Sequence, residues 1–155
     1  MSASERVFVA ARTAEDIFRF VSDPERLGRT IPGVDRIEKV AVAEPIEVGT
    51  RLRQTFRFAG REIMTDKVVV RSFDYPRTFA YAVEILGFDG QSRYTIEDVA
   101  GGVEVSLEIT ISGGGLLRGL LPLIERAFAG QARARLGRLA ELAVVEPAPG
   151  VYIDV

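Results

Sequence analysis

The sequence predicts an α+β fold, in which a curved seven-stranded antiparallel sheet wraps around one long C-terminal helix, with two short helices after the first strand. Three observations carry this expectation. Hydrophobic residues recur at strand period through residues 34–112, and the turn signals between the runs are too closely spaced to hold crossover helices. A glycine triplet, Gly113-Gly114-Gly115, then releases the chain into a stretch whose apolar residues recur at helical spacing. Each of these surfaces is amphipathic, so each needs the other for burial.

The elements follow in order. Residues 5–11 (ERVFVAA) are rich in β-formers and open the fold as a strand. Thr13 and Asp16 have the spacing of a capping box, with Asp in place of the usual Glu. Ala14, Ile17, Phe18 and Val21 continue from it as a helix over about 13–21. Asp23-Pro24 reads as an N-cap and first helical residue, starting a second short helix that stops near Gly28. Pro32-Gly33 is a turn. Segments 34–42, 49–58, 61–73, 77–86, 89–99 and 102–112 form the remaining strands. Alternation is clearest in the last, where Val103, Val105, Leu107, Ile109 and Ile111 share one face and Glu104, Ser106, Glu108 and Thr110 the other.

The helix is expected over 116–143, with Leu117, Leu121, Ile124, Phe128, Ala132, Leu136, Leu139 and Leu142 as its apolar stripe. Pro122 sits in its first turn or kinks it. Residues 1–155 read as a single domain with its core over about 5–143. Residues 144–155, with Pro147 and Pro149, form a C-terminal tail.

Composition narrows the chemistry. The chain has 155 residues, 47% of them hydrophobic and 27% charged, as expected of a globular protein with a real core. A net charge of −2 offers no global field for nucleic acid, so no nucleic-acid partner is expected. There is no cysteine and no histidine, which removes disulfides, thiolate chemistry and the commonest general base and zinc ligand. No metal site and no cofactor are expected. No stretch is long and apolar enough for a membrane span, and no signal peptide is read at the N-terminus, so the expected location is the cytoplasm. A homodimer stays open.

Candidate site residues come from parity and helical phase. Leu52, Phe56 and Phe58 share a face with Gln54, while Arg51, Arg53 and Arg57 point the other way. Met64, Val68 and Val70 share a face, and Asp66 falls with them. A buried carboxylate needs a partner or takes up a proton, so Asp66 is anomalous. Either it points inward, or a β-bulge or rim position turns it to water. On the helix, Arg135 lies in the sector of Leu117, Ile124 and Leu142, where it meets an acid such as Asp66, snorkels to solvent, or is rotated to the edge by drift past Pro122. Tyr81 and Tyr94 have inward phase, and each hydroxyl wants a partner if buried. The expected pocket is lined by Leu52, Gln54, Phe56, Phe58, Met64, Asp66, Tyr81, Tyr94, Leu121, Phe128 and Arg135.

The element order resembles the helix-grip (SRPBCC) superfamily, which includes START lipid-transfer domains, the birch-pollen allergen family and aromatic polyketide cyclases. Residues 16–34, DIFRFVSDPERLGRTIPGV, look like that family's helix, Asp-Pro-x-x-Leu, helix, Pro-Gly-Val elbow. Phe73-Asp74-Tyr75-Pro76-Arg77 and the glycine-rich entry to the last helix add to the likeness. The chain is most similar to small bacterial members of the superfamily, either polyketide cyclase/dehydrase-like or like the G-subunit of carbon monoxide dehydrogenase. The resemblance implies a cavity between helix and sheet for an apolar or aromatic molecule. Fold alone does not separate carrier from enzyme. Three functions therefore remain: a carrier of a lipid-like or polyketide-like molecule, a cyclase or dehydratase working without histidine or metal on an enolisable aromatic precursor, and a non-catalytic accessory module.

Overall fold

A computed structural model describes residues 2–85, 87–113, 115–120, 122–123 and 130–145. Seven strands form one antiparallel sheet: β1 (Ser2–Ala10), β2 (Val34–Lys39), β3 (Arg51–Phe58), β4 (Arg61–Asp74), β5 (Thr78–Ile85), β6 (Phe88–Val99) and β7 (Gly102–Gly113). Their spatial order is β1-β7-β6-β5-β4-β3-β2, so β2 through β7 are a meander and only β1 pairs with a strand distant in sequence. The strand ends differ from the expected ones by up to three residues: β1 begins at Ser2 rather than at 5, and β2 stops at Lys39 rather than running to 42.

The two short helices are α1 (Ala14–Val21) and α2 (Pro24–Thr30). The capping box at Thr13 forms in both directions. The Asp16 backbone N–H donates to Thr13 Oγ1 at 3.3 Å, and the Thr13 N–H donates to Asp16 Oδ2 at 3.2 Å. Asp23 caps α2 by accepting from the Glu25 N–H at 3.2 Å, with Pro24 at the first helical position, where a missing N–H costs nothing. Helix α2 lies tight against β2: a Cβ at Gly28 would sit 3.0 Å from the Ile37 backbone nitrogen. Phe18 of α1 enters an aromatic cluster, edge-on to Phe73, Tyr75 and Phe79 at centroid distances of 5.0, 5.2 and 6.2 Å. The elbow is thereby anchored to β4, β5 and the turn between them.

The C-terminal helix, α3, spans Gln131–Val145. One continuous helix from residue 116 is not what forms. Gly115–Leu120 is a 3₁₀ turn, residues 122–123 are helical and Gly130 lies in a turn. Two glycines and Pro122 interrupt a sequence whose apolar spacing alone would continue a helix. Leu121, Ile124, Phe128 and the tail beyond 145 lie outside the described residues. In α3, Ala132, Arg135, Leu136, Leu139 and Ala143 are buried, a stripe at i, i+3, i+4, i+7 and i+11. This stripe packs on β1, β7 and α2, and Arg12 Nε donates to the Ala143 carbonyl at 2.8 Å. No described helix is long and apolar enough to cross a membrane.

Candidate functional site

The inner face of the sheet is built in cross-strand rows. Tyr81 on β5 stands opposite Ser92 on β6, which stands opposite Ile109 on β7. The next row holds Phe79, Tyr94 and Leu107. Tyr81, Ser92 and Tyr94 therefore place three hydroxyls side by side on the concave surface. Helix α3 lays Arg135 over them. Its Nη1 donates to Ser92 Oγ at 3.0 Å, and its Nη2 donates to the hydroxyls of Tyr81 at 2.6 Å and Tyr94 at 2.9 Å. The guanidinium carbon also lies 5.9 Å and 5.7 Å from the centroids of the Tyr81 and Tyr94 rings, within cation–π range.

Arg135 is only 3% exposed, and its Nε has no hydrogen-bond partner. No acidic side chain pairs with it among the described residues. Burial works against its charge, but the nearby tyrosine oxygens outweigh that and hold its pKa above the ordinary arginine range, so it stays charged. Burial raises the Tyr94 phenol above its ordinary 10.0; Tyr81 adds to the rise, and Arg135 and Thr30 oppose it. At neutral pH Tyr94 is a neutral hydroxyl, able to accept from Arg135 and to donate its own proton.

Beside this cluster the described residues bound a cavity of about 310 Å³. That falls at the lower end of the range for small-molecule sites, roughly 300–1,000 Å³. Val83, Ile85, Phe88, Ile109 and Ile111 give it apolar walls, Pro32 and Gly33 of the elbow border it, and Gln54, Gln91, Gln131, Ser92, Tyr81 and Arg135 bring polar groups to it. Arg57 also borders it, exposed and paired with Asp35 at 3.6 Å. No carboxylate lines it among the described residues, and these hold no group of three or more acidic side chains fit for a metal ion.

Gln54, Phe56, Tyr81 and Arg135 reach the cavity as their parity and phase require. Leu52 and Tyr94 point inward but are packed in the core beside it. Met64 and Asp66 do not point inward: Met64 is 58% exposed and Asp66 is exposed. The reason is a bulge. Leu52 pairs with Val68, but Gln54 pairs with Thr65, so β4 spends three residues where β3 spends two. Every residue of β4 before the bulge is flipped relative to Val68 and Val70, and Asp66 cannot meet Arg135. Leu121, Phe128 and the side chain of Phe58 lie outside what is described. Ser92, Gln91 and Gln131 were missed. Ser92 could have been found, since it is two residues from Tyr94 on the same strand and shares its face.

An open antiparallel sheet gripping a C-terminal helix, with an apolar cavity beneath the helix and an elbow of two short helices at its edge, defines a helix-grip protein. The chain belongs to the polyketide cyclase / dehydrase and lipid transport family, whose model matches residues 1–144. Among solved structures it is similar to the ZhuI aromatase/cyclase from Streptomyces sp. R1128, at 17% identity and a TM-score of 0.73, covering 97% of this chain and 99% of that one. It is also similar to TTHA0849 from Thermus thermophilus (16% identity, TM-score 0.72, 94% and 98% covered) and to NE0264 from Nitrosomonas europaea (9%, 0.70, 94% and 95%). At these identities the likeness is one of fold. No curated protein matches the sequence.

Proposed function

We propose that this protein binds and carries a hydrophobic small molecule, lipid-like or polyketide-like, in the cavity between the sheet and α3. The observation that supports this most is a cavity of about 310 Å³ with apolar walls and several polar side chains in its lining, but no carboxylate, among the described residues, to act as a general base. A protein that only holds its ligand needs nothing more.

The test begins with native mass spectrometry of protein purified from its own host, which gives the mass of any retained ligand. An environment-sensitive dye such as ANS should bind the folded protein and be displaced by that molecule. Val83→Trp should fill the cavity and abolish dye and ligand binding while the circular dichroism spectrum stays native. Unchanged binding in that variant would place the ligand elsewhere.

One observation favours a second reading. The Arg135, Tyr81 and Ser92 donors could stabilise an enolate oxygen, as a cyclase or dehydratase acting on an enolisable aromatic precursor requires. Turnover of such a precursor by wild type, lost in Arg135→Met, would establish it.

A further inference from the structure

The cavity is electrically lopsided. Among the described residues its one buried charge is Arg135, held by three neutral hydroxyls and two ring faces, with Nε unpartnered and no acid paired to it. Taking a cation out of water is costly, and neutral oxygens supply partial negative charge without a countercharge. Low-dielectric walls screen the field weakly, so the cavity end beside Arg135 is electropositive. Tyr81 and Ser92 accept from Arg135 and still have their own O–H protons to donate, and both border the cavity. That end therefore offers a positive charge and hydroxyl donors. The only other cation in the described lining, Arg57, is exposed and already paired with Asp35, so the field suits one negative charge rather than two.

The geometry points to an amphiphilic monoanion as the occupant: an apolar body against Val83, Ile85, Phe88 and Ile111, and a single ionised oxygen acid, a carboxylate or an acidic enol or phenol, at Arg135. This rests on the carrier reading and narrows it from any hydrophobic molecule to one that completes the charge of the buried guanidinium.

The experiment uses two matched pairs of probes, dodecanoate with dodecanol and 2-naphthoate with 2-naphthalenemethanol, titrated into the full chain at pH 8 and followed calorimetrically. The aliphatic and aromatic pairs separate a lipid-like from a polyketide-like body. Each acid should bind at least about tenfold more tightly than its alcohol, the size of effect expected when a buried charge gains a charged hydrogen-bonding partner. Arg135→Met should erase the preference by weakening the acids while leaving the alcohols within about threefold, a small change on the same scale. Should that variant fail to fold, wild type decides: 2-naphthoate affinity must fall as the carboxyl protonates below about pH 5, with its alcohol unaffected. Acid and alcohol binding equally, or an acid insensitive to pH, overturns the inference while the carrier reading stands. If none of the four probes binds, the carrier reading fails and the inference with it.

Discussion

Tyr94→Phe, measured with and without Arg135, isolates how the buried charge is held. Tyr94 is 1% exposed, accepts from Arg135 Nη2 at 2.9 Å and does not border the cavity, so neither water nor ligand can take over its hydroxyl. Removing that oxygen strands one N–H of a charged group, and a hydrogen bond to a charged group is worth about 1.5–3 kcal/mol. The expected loss in urea unfolding is therefore about 2 kcal/mol. Arg135→Met behaves differently. It relieves the desolvation of the cation, several kcal/mol by general estimate, while leaving Tyr94 a buried hydroxyl with a lost partner at about 1–3 kcal/mol. These oppose, and the net change is small. In the Arg135→Met background Thr30 remains beside the hydroxyl, so deleting that hydroxyl should cost far less than in wild type, giving a coupling of about 1–2 kcal/mol between the two positions. Equal costs of Tyr94→Phe in both backgrounds would refute the reasoning, because the hydroxyl would then not be holding the charge. Tyr81→Phe is the internal control: its bond is shorter, at 2.6 Å, but it borders the cavity, where water can replace it, so it should cost less.

Other outcomes follow from the same geometry. Gly102→Ala should destabilise by at least about 2 kcal/mol in urea unfolding, because its Cβ would run into the Val9 carbonyl oxygen and lie 3.0 Å from Ala10 Cα, backbone that cannot move aside. Asp66→Asn should change stability by less than about 0.5 kcal/mol, since the residue is exposed in the bulge itself; a loss of several kcal/mol would mean the carboxylate is buried after all. Stability should also fall at alkaline pH. The folded pKa of Tyr94 is raised above 10.0, so its contribution is full below that pH and is lost as pH climbs toward the folded value. The urea midpoint of wild type should drop between pH 9 and 11 by more than that of Tyr94→Phe, and equal drops would refute the assignment.

The fold was legible because sheet and helix leave different periods. The capping box at Thr13, the Asp23-Pro24 start of α2 and the alternation in β7 are local signals, and all three formed. The site was legible where parity ran unbroken: Tyr81, Tyr94 and Gln54 lie inward, and Arg135 sits in the helical stripe that phase gave it. Met64 and Asp66 face outward for one reason, the bulge that was one of the two alternatives for Asp66. An extra residue in β4 leaves no mark in the sequence beyond the anomaly itself, and parity counted across it inverts. An acid is expected opposite Arg135 because buried charges usually pair with opposite charges. Here hydroxyls and aromatic faces stand in for the acid, a solution that residue types read one at a time do not reveal.

The strand order has a consequence for how the chain assembles. Strands β2 through β7 each pair with the next in sequence and can zip up hairpin by hairpin, whereas β1 must pair across about a hundred residues, Ser2 with Thr110 and Ala10 with Gly102. Such distant pairings slow folding and come late. Helix α3 rests largely on β1, with β7 and α2 beside it, and is tied to the segment after β1 by the Arg12–Ala143 bond, so its docking is expected to be completed when that strand returns. Until then the meander shows an unpaired β7 edge and an uncovered greasy concavity, the two surfaces most prone to join another chain. Arg135 meets its hydroxyls in this closing step. Amides of β1 and α3 should accordingly exchange with solvent sooner than those of β5 and β6, and the interval in which the protein is most liable to aggregate is the one before its own first strand returns.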